Sequence, residues 1–491
     1  MPFATIAFAF MPPVQELTVS RPSVPALALP AVVVRHRVAL AVLVATALTF
    51  LAPAAPTYDP WAWIIWGREI LHLDLSTLYG PSWKPLPVMF TTPFALFGPA
   101  APDLWLFVAR AGTIAGVVML FRLGRRLGGV PAGVAAAVPY AIAPWTIRNG
   151  AMGNSEGLLV ALALAAVDRH LAGRRRAAFA LAVGTALLRP EAWPFVGLYG
   201  LWLLWREPRV RALVVAGFAA LPALWLLPEW WGSGDLLRAA HRAQSPRANS
   251  PAFADDPVRA VLEQFAGMFT PVVWVGLAAL VAVLVARRAP GRRETAILAG
   301  LVGGAALWVA EVALMTSDGF SGNTRYLVMP AAVVCLAAGV GVGWLARAVL
   351  GRRAVAGRAP AVALAALVGV AFAAPAVSRL PRDVDAITAQ AHANDSLGSV
   401  VARAGGPERV RACGQVFTGP FQVPVVAWNL RVHTAQVSSL TPSRPGVLFQ
   451  VRSGPGRPFG PSQRPLGDPR GVRTLTSGGA WRVVAACRGG A

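Results

Sequence analysis

Long apolar runs, separated by clusters of arginine, constrain this chain more than any other feature. The runs fall at 38–55, 103–121, 130–148, 156–172, 177–205, 211–229, 271–286, 295–315, 326–346 and 360–376. A helix of about 20 apolar residues crosses the hydrocarbon of a bilayer. Composition agrees with that solvent. Hydrophobic residues make up 56% of the chain and charged ones 14%, with a mean hydropathy of +0.55. A soluble domain carries about 25% charged residues, so several water-soluble domains are excluded. Disorder along the whole length is excluded too, because it requires low hydrophobicity. Three cysteines are too few for a disulfide scaffold or a four-cysteine zinc site.

The net charge is +23, which in a soluble protein would suggest nucleic acid. Placement argues against a nucleic-acid partner. Arg35 and Arg37, Arg122 to Arg126, Arg174 to Arg176, Arg206 to Arg211, Arg287 to Arg293 and Arg347 to Arg358 all sit between apolar runs. Lysine and arginine in such short loops stay cytoplasmic. The 177–205 segment holds 29 residues and is broken by Arg189, Pro190, Glu191 and Pro194. Counted as two shortened passes, it puts every arginine cluster on the same side. Counted as one, it moves the later clusters across.

The parity therefore predicts an all-α polytopic protein of the cell membrane, with about eleven spans. A cytoplasmic tail covers 1–37, the multi-span region 38–377, and an extracytoplasmic soluble domain 378–491. Segment 56–102 forms a long outer loop, rich in tryptophan and tyrosine, which favour the membrane interface. Loops 231–270 and 317–325 are outer as well. The soluble domain reads as α/β, with a helix at 383–403 and strands at 408–412, 446–452 and 481–487. Cys413 and Cys487 lie there; an oxidising compartment permits a disulfide, and two free thiols are the alternative. Cys335 reads as a small core residue. Arginine in place of lysine, with much Ala, Gly and Pro, suits a GC-rich bacterial genome; Lys84 is the sole lysine.

The candidate chemistry gathers at the outer edge. Asp59 follows the first run in Thr57-Tyr58-Asp59-Pro60-Trp61, and Lys84 stands in Ser82-Trp83-Lys84-Pro85-Leu86-Pro87. Glu156 opens the fourth run in Gly153-Asn154-Ser155-Glu156, and Arg325 and Tyr326 close the last outer loop in Asn323-Thr324-Arg325-Tyr326-Leu327. Each has a structural alternative. Asp59 could cap the helix that starts at Pro60. Lys84 could snorkel to headgroups. Glu156 could complement a helix dipole. Arg325 and Tyr326 could be interface anchors. Arg189 and Glu191 could pair at a hairpin tip, or Arg189 could meet a phosphate. His241 and His392 show no ligand-like spacing.

Together the set resembles the GT-C membrane glycosyltransferases, especially the branch of protein O-mannosyltransferases and lipid A aminoarabinose transferases. Members place an acidic residue just after the first span, and the aminoarabinose branch follows it with a Lys-Pro-Pro-Leu signature. Here the order is Lys84-Pro85-Leu86-Pro87, with Leu and Pro exchanged. An acidic residue opening the fourth span and an Arg-Tyr-Leu stretch opening a late one complete the resemblance, which covers 38–377. It implies sugar transfer from a polyprenyl-phosphate carrier, with membrane lipids as surroundings. Asp59 would take the acceptor proton, with Glu156 as a second catalytic carboxylate. Lys84, Arg325, Tyr326 and Arg189 would meet the donor phosphate. Asp59 and Glu156 could share a divalent ion, but two carboxylates do not require one. Two other classes fit the same layout: a transporter or flippase of a lipid-linked or polar solute, and a non-catalytic scaffold for envelope assembly. Charges at the outer edge, with no internal repeat, speak against the transporter.

Overall fold

The computed structural model describes residues 31–356, 380–440, 445–452, 458–461 and 472–487. The candidate site and the sheet both lie in the compact unit that begins at Val42. The expected run 360–376 lies outside the described residues.

Among the described residues fifteen α-helices come first: α1 (Ala31–Thr49), α2 (Tyr58–Leu71), α3 (Pro85–Phe94), α4 (Ala101–Gly128), α5 (Val130–Ile142), α6 (Pro144–Ala151), α7 (Glu156–Leu171), α8 (Arg175–Ala186), α9 (Trp193–Arg206), α10 (Arg211–Ser233), α11 (Arg238–Ala243), α12 (Pro257–Ala266), α13 (Pro271–Val285), α14 (Arg292–Ser317) and α15 (Val328–Ala356). Among the described residues four helical stretches are long and apolar enough to span a membrane, and up to six if bent pairs count as spans. The expectation of about eleven is larger. Many apolar runs form short or broken helices instead, and prolines explain several breaks. Pro144 begins α6 after an extended Ala143, and the α5–α6 pair bends by 60°. The residue before a proline is pushed out of the α region. The same rule acts at Arg189, extended before Pro190, where the 177–205 run breaks into α8 and α9.

Close helix approach positions α7. A Cβ at Gly112 would come within 2.7 Å of the Leu158 Cα, and one at Gly157 within 2.7 Å of the Thr113 Cα. Only glycine permits that backbone contact between α4 and α7. It sets the height of α7, and so of Glu156 at its first turn.

Beyond the bundle come α16 (Leu380–Arg403), α17 (Gly406–Ala412) and α18 (Val423–Leu430), with β1 (Gln415–Thr418), β2 (Val437–Ser438), β3 (Gly446–Val451), β4 (Arg473–Gly478) and β5 (Trp481–Ala486). The sheet order is β2-β1-β3-β5-β4. β1 is parallel to β2 and β3; β5 is antiparallel to β3 and β4. The expected strand at 408–412 is helix α17. Pro407 at its first turn and the left-handed Gly405 before it start a helix there, and the strand begins after Cys413. Cys413 and Cys487 are bonded, S–S 2.11 Å with Cα atoms 4.5 Å apart, fixing the entry to β1 against the exit of β5.

This segment clamps α2. Trp428 of α18 packs on Trp61, ring centroids 6.0 Å apart. Arg68 donates to the Val432 carbonyl at 2.9 Å. His433 reaches Glu69 through Nδ1 at 2.8 Å and Asp74 through Nε2 at 3.2 Å. Burial raises the Glu69 carboxyl above its ordinary value.

Candidate active site

Five segments deliver the charged side chains, and backbone bonds register them. The Ala55 and Thr57 amides donate to the Ala151 and Met152 carbonyls at 3.0 and 3.2 Å, joining the start of α2 to the start of α7. Asp59, in the first turn of α2, thereby stands beside Glu156. Thr57, not Asp59, is the N-cap of α2, so the capping role is not the one Asp59 plays. The Leu86 amide donates to the Leu187 carbonyl at 3.2 Å. That bond brings Lys84, the N-cap of α3, to the α8–α9 hairpin carrying Arg189. The Asn323 side chain accepts from the Arg325 amide at 3.0 Å, and the Trp308 indole donates to the Tyr326 carbonyl at 3.0 Å. These bonds fix the short helix Thr324–Leu327 that brings Arg325 to the other four segments.

Arg325 is the hub. Its Nη1 lies 2.9 Å from Asp59 Oδ2 and its Nε 3.1 Å from Glu156 Oε1. Arg189 Nη2 donates to the same Glu156 oxygen at 2.6 Å, and Arg189 Nη1 is 3.7 Å from Glu191. Lys84 Nζ lies 3.9 Å from Glu156 and donates to Ser155 Oγ at 3.2 Å. It also stands 5.2 Å from the centre of the Trp63 ring. Lys84 is buried, not snorkelled into headgroups. Three carboxylates thus face three cations in one interior cluster. A lone buried charge is costly and a paired one is tolerated.

Burial differs across the cluster, and that divides the roles. The Glu156 side chain is 0% exposed and surrounded by cations, whereas that of Asp59 is 22% exposed. Asp59 Oδ1 makes no hydrogen bond among the described residues, so one oxygen remains available to an incoming group. Burial, and next the Arg189 charge, push the Lys84 amine down to about 7. Arg189 also lies 4.4 Å from the Tyr326 ring centre. The Tyr326 hydroxyl accepts a hydrogen bond from Ser321 Oγ at 2.9 Å, which does not use its own O–H.

All four principal candidates, with Arg189, meet in one place. Sequence reasoning assigned no role to Ser155 or Trp63. Ser155 adjoins Glu156, and Trp63 lies one turn beyond Asp59; adjacency was the available signal. The shared-ion idea fails a geometric test. The Arg325 guanidinium occupies the space between Asp59 and Glu156 where a common cation would sit. Among the described residues no group of three or more His, Cys, Asp or Glu side chains could hold a metal.

These features define a mostly helical protein with apolar helices long enough to span a membrane and a small C-terminal sheet. A crystal structure of ArnT from Cupriavidus metallidurans bound to undecaprenyl phosphate matches over 94% of this chain and 98% of that one, with TM-score 0.51 and 16% identity. The same protein in its apo state matches with TM-score 0.50 and 14% identity, over 93% and 97% of the two chains. At that identity the likeness is one of fold. No family model and no curated protein matches the sequence.

Proposed function

We propose that this protein is a membrane glycosyltransferase that moves a sugar from a polyprenyl-phosphate donor to an extracytoplasmic acceptor hydroxyl, inverting the anomeric centre. One observation carries the reading: Arg325 ties a half-open carboxylate, Asp59, to a buried set of cations, in a fold whose solved neighbour binds undecaprenyl phosphate.

The chemistry needs a proton acceptor and a partner for the leaving phosphate, and the cluster offers residues for both. The acceptor hydroxyl loses its proton to Asp59 Oδ1, while Arg325 fixes the other oxygen and so the carboxylate plane. The bond from the anomeric carbon to the phosphate oxygen breaks as the bond to the acceptor oxygen forms. Positive character at the anomeric carbon accompanies it. The departing phosphate keeps the bonding electrons, and its growing charge falls to Lys84 and Arg325. Glu156 is a positioning residue in this scheme: it holds three mutually repelling cations in register. Arg189, stacked on Tyr326, bridges Glu156 to Glu191.

The test is donor consumption by the full chain in nanodiscs. A polyprenyl-phosphate donor labelled in the sugar should be cleaved to polyprenyl monophosphate, with the label moving to an added envelope extract. Recovery of intact labelled donor on the opposite leaflet of a proteoliposome would instead favour the flippase.

A further inference from the structure

On the C-terminal sheet, and in the stretch before α12, a second group of residues has no task so far. The chain leaves β1 through α18 to reach β2 on one flank, while β3 lies on the other. That reversal is a topological switch point, and ligands of α/β sheets bind outside the carboxyl ends of the strands there. Gly419 to Phe421 follow β1, and Arg452 follows β3. The two loops meet: a Cβ on Gly419 would lie 3.8 Å from Pro461 Cδ.

This crevice is cationic. Phe459 stacks between the guanidinium groups of Arg452 at 4.1 Å and Arg482 at 4.8 Å. Phe421, 52% exposed, carries the guanidinium of Arg247 at 3.7 Å. Among the described residues no carboxylate pairs with Arg247, Arg452 or Arg482. Arg452 Nε is buried without a hydrogen-bond partner, and a buried guanidinium donor left unsatisfied is costly. Arg482 spends its Nε on Gln450 Oε1 at 2.8 Å, whereas stacking holds the Arg247 and Arg452 guanidinium planes and leaves in-plane N–H groups to meet oxygen.

Arg247 connects the crevice to the cluster. It belongs to the stretch between α11 and α12 and lies within electrostatic reach of Asp59 and Arg325. Arg242 anchors that stretch, donating to the Gly80 carbonyl at 3.1 Å and bonding the Tyr58 side chain. Charge makes a further point. With Lys84 protonated, the three carboxylates and three cations of the cluster balance. A sugar phosphodiester adds one negative charge, which does not neutralise this second set of arginines.

We propose that this crevice is the acceptor subsite and that the acceptor is an anionic saccharide, gripped by Arg247 and Arg452 beside Phe421 with its reacting hydroxyl turned to Asp59. The assignment rests on the glycosyltransferase reading for its role, though not for its ligand chemistry. The negative group is a sugar carboxylate or a sugar phosphate. No bond is made or broken beyond the transfer already described.

The test measures saccharide binding to the full chain in nanodiscs at low salt, without donor. The probes are a short oligogalacturonide against its neutral methyl ester, and mannose 6-phosphate against mannose. At least one acid should bind about tenfold or more tightly than its neutral partner, the scale of one charge-assisted hydrogen bond; the preferred arm identifies carboxylate or phosphate. Arg247→Gln and Arg452→Gln should each erase that preference, and Phe421→Ala should weaken it. Equal binding of acid and neutral forms in both arms overturns the proposal. So does an Arg247→Gln variant that loses affinity for a polyprenyl phosphodiester and not for the acid, which would move Arg247 to the donor side. If the acid preference stands while no donor is ever consumed, the transferase reading falls and the saccharide site remains.

Discussion

Raising the pH from about 6 to about 8 should weaken donor binding roughly tenfold, close to 1.4 kcal/mol, through Lys84 alone. The amine is pushed down to about 7 by burial and by Arg189, with Arg325 acting in the same direction and Glu156 and Asp59 against. Its protonated fraction therefore falls by about an order of magnitude across that interval. A bound phosphate supplies the anion that restores the proton, so affinity follows the charge of the empty site. The probe should be a polyprenyl phosphodiester, whose single charge is constant over the range; a monoester would titrate itself. Stability should move the other way. In the unfolded chain Lys84 keeps its proton up to its ordinary value of 10.5. From about 7 upward the unfolded state binds more protons than the folded one, and Lys84's contribution to stability rises with pH. Weaker binding with undiminished thermal stability thus separates titration from unfolding. The assay is equilibrium binding in nanodiscs, with Lys84→Met as reference. A flat wild-type profile, or an equal fall in Lys84→Met, would refute the reasoning.

The same geometry sets three further outcomes. Glu156→Gln leaves Lys84, Arg189 and Arg325 facing one another without their shared anion; a loss of about 3–5 kcal/mol should appear as a lower melting temperature, and an unchanged one would contradict the role given to Glu156. Reduction of Cys413–Cys487, which closes a separation of 74 residues, should cost about 4 kcal/mol and expose the sheet region to protease while leaving the bundle protected. Cysteines placed at Arg287 and Asp59 should label from opposite faces of the membrane, as the arginine clusters require.

Some of this was legible in the chain because charge in an apolar setting carries information. Asp59, Lys84, Glu156, Arg189 and Arg325 stood out as ionisable groups beside hydrophobic runs, and the structure brings them within one cluster. The break at Arg189-Pro190 was legible too, since proline constrains the residue before it. What composition could not convey was the division of labour. Glu156 and Asp59 look equivalent in sequence, yet one is enclosed by cations and the other is half open, a difference set by α4–α7 packing far along the chain. The strand expected at 408–412 failed because valine flanked by arginines suits a short helix equally well; the Gly-Pro start decided it. The crevice of Phe421, Phe459 and Arg452 was invisible, because loops distant in sequence and a sheet topology create it.

The central claim is that Asp59 is the proton acceptor of a glycosyl transfer, and one comparison tests it most directly. Wild-type protein and Asp59→Asn, in nanodiscs with the same sugar-labelled polyprenyl-phosphate donor, should bind donor with similar affinity. Asparagine cannot take the acceptor proton, so transfer should fall by about a hundredfold or more. Transfer by Asp59→Asn at the wild-type rate would contradict the account.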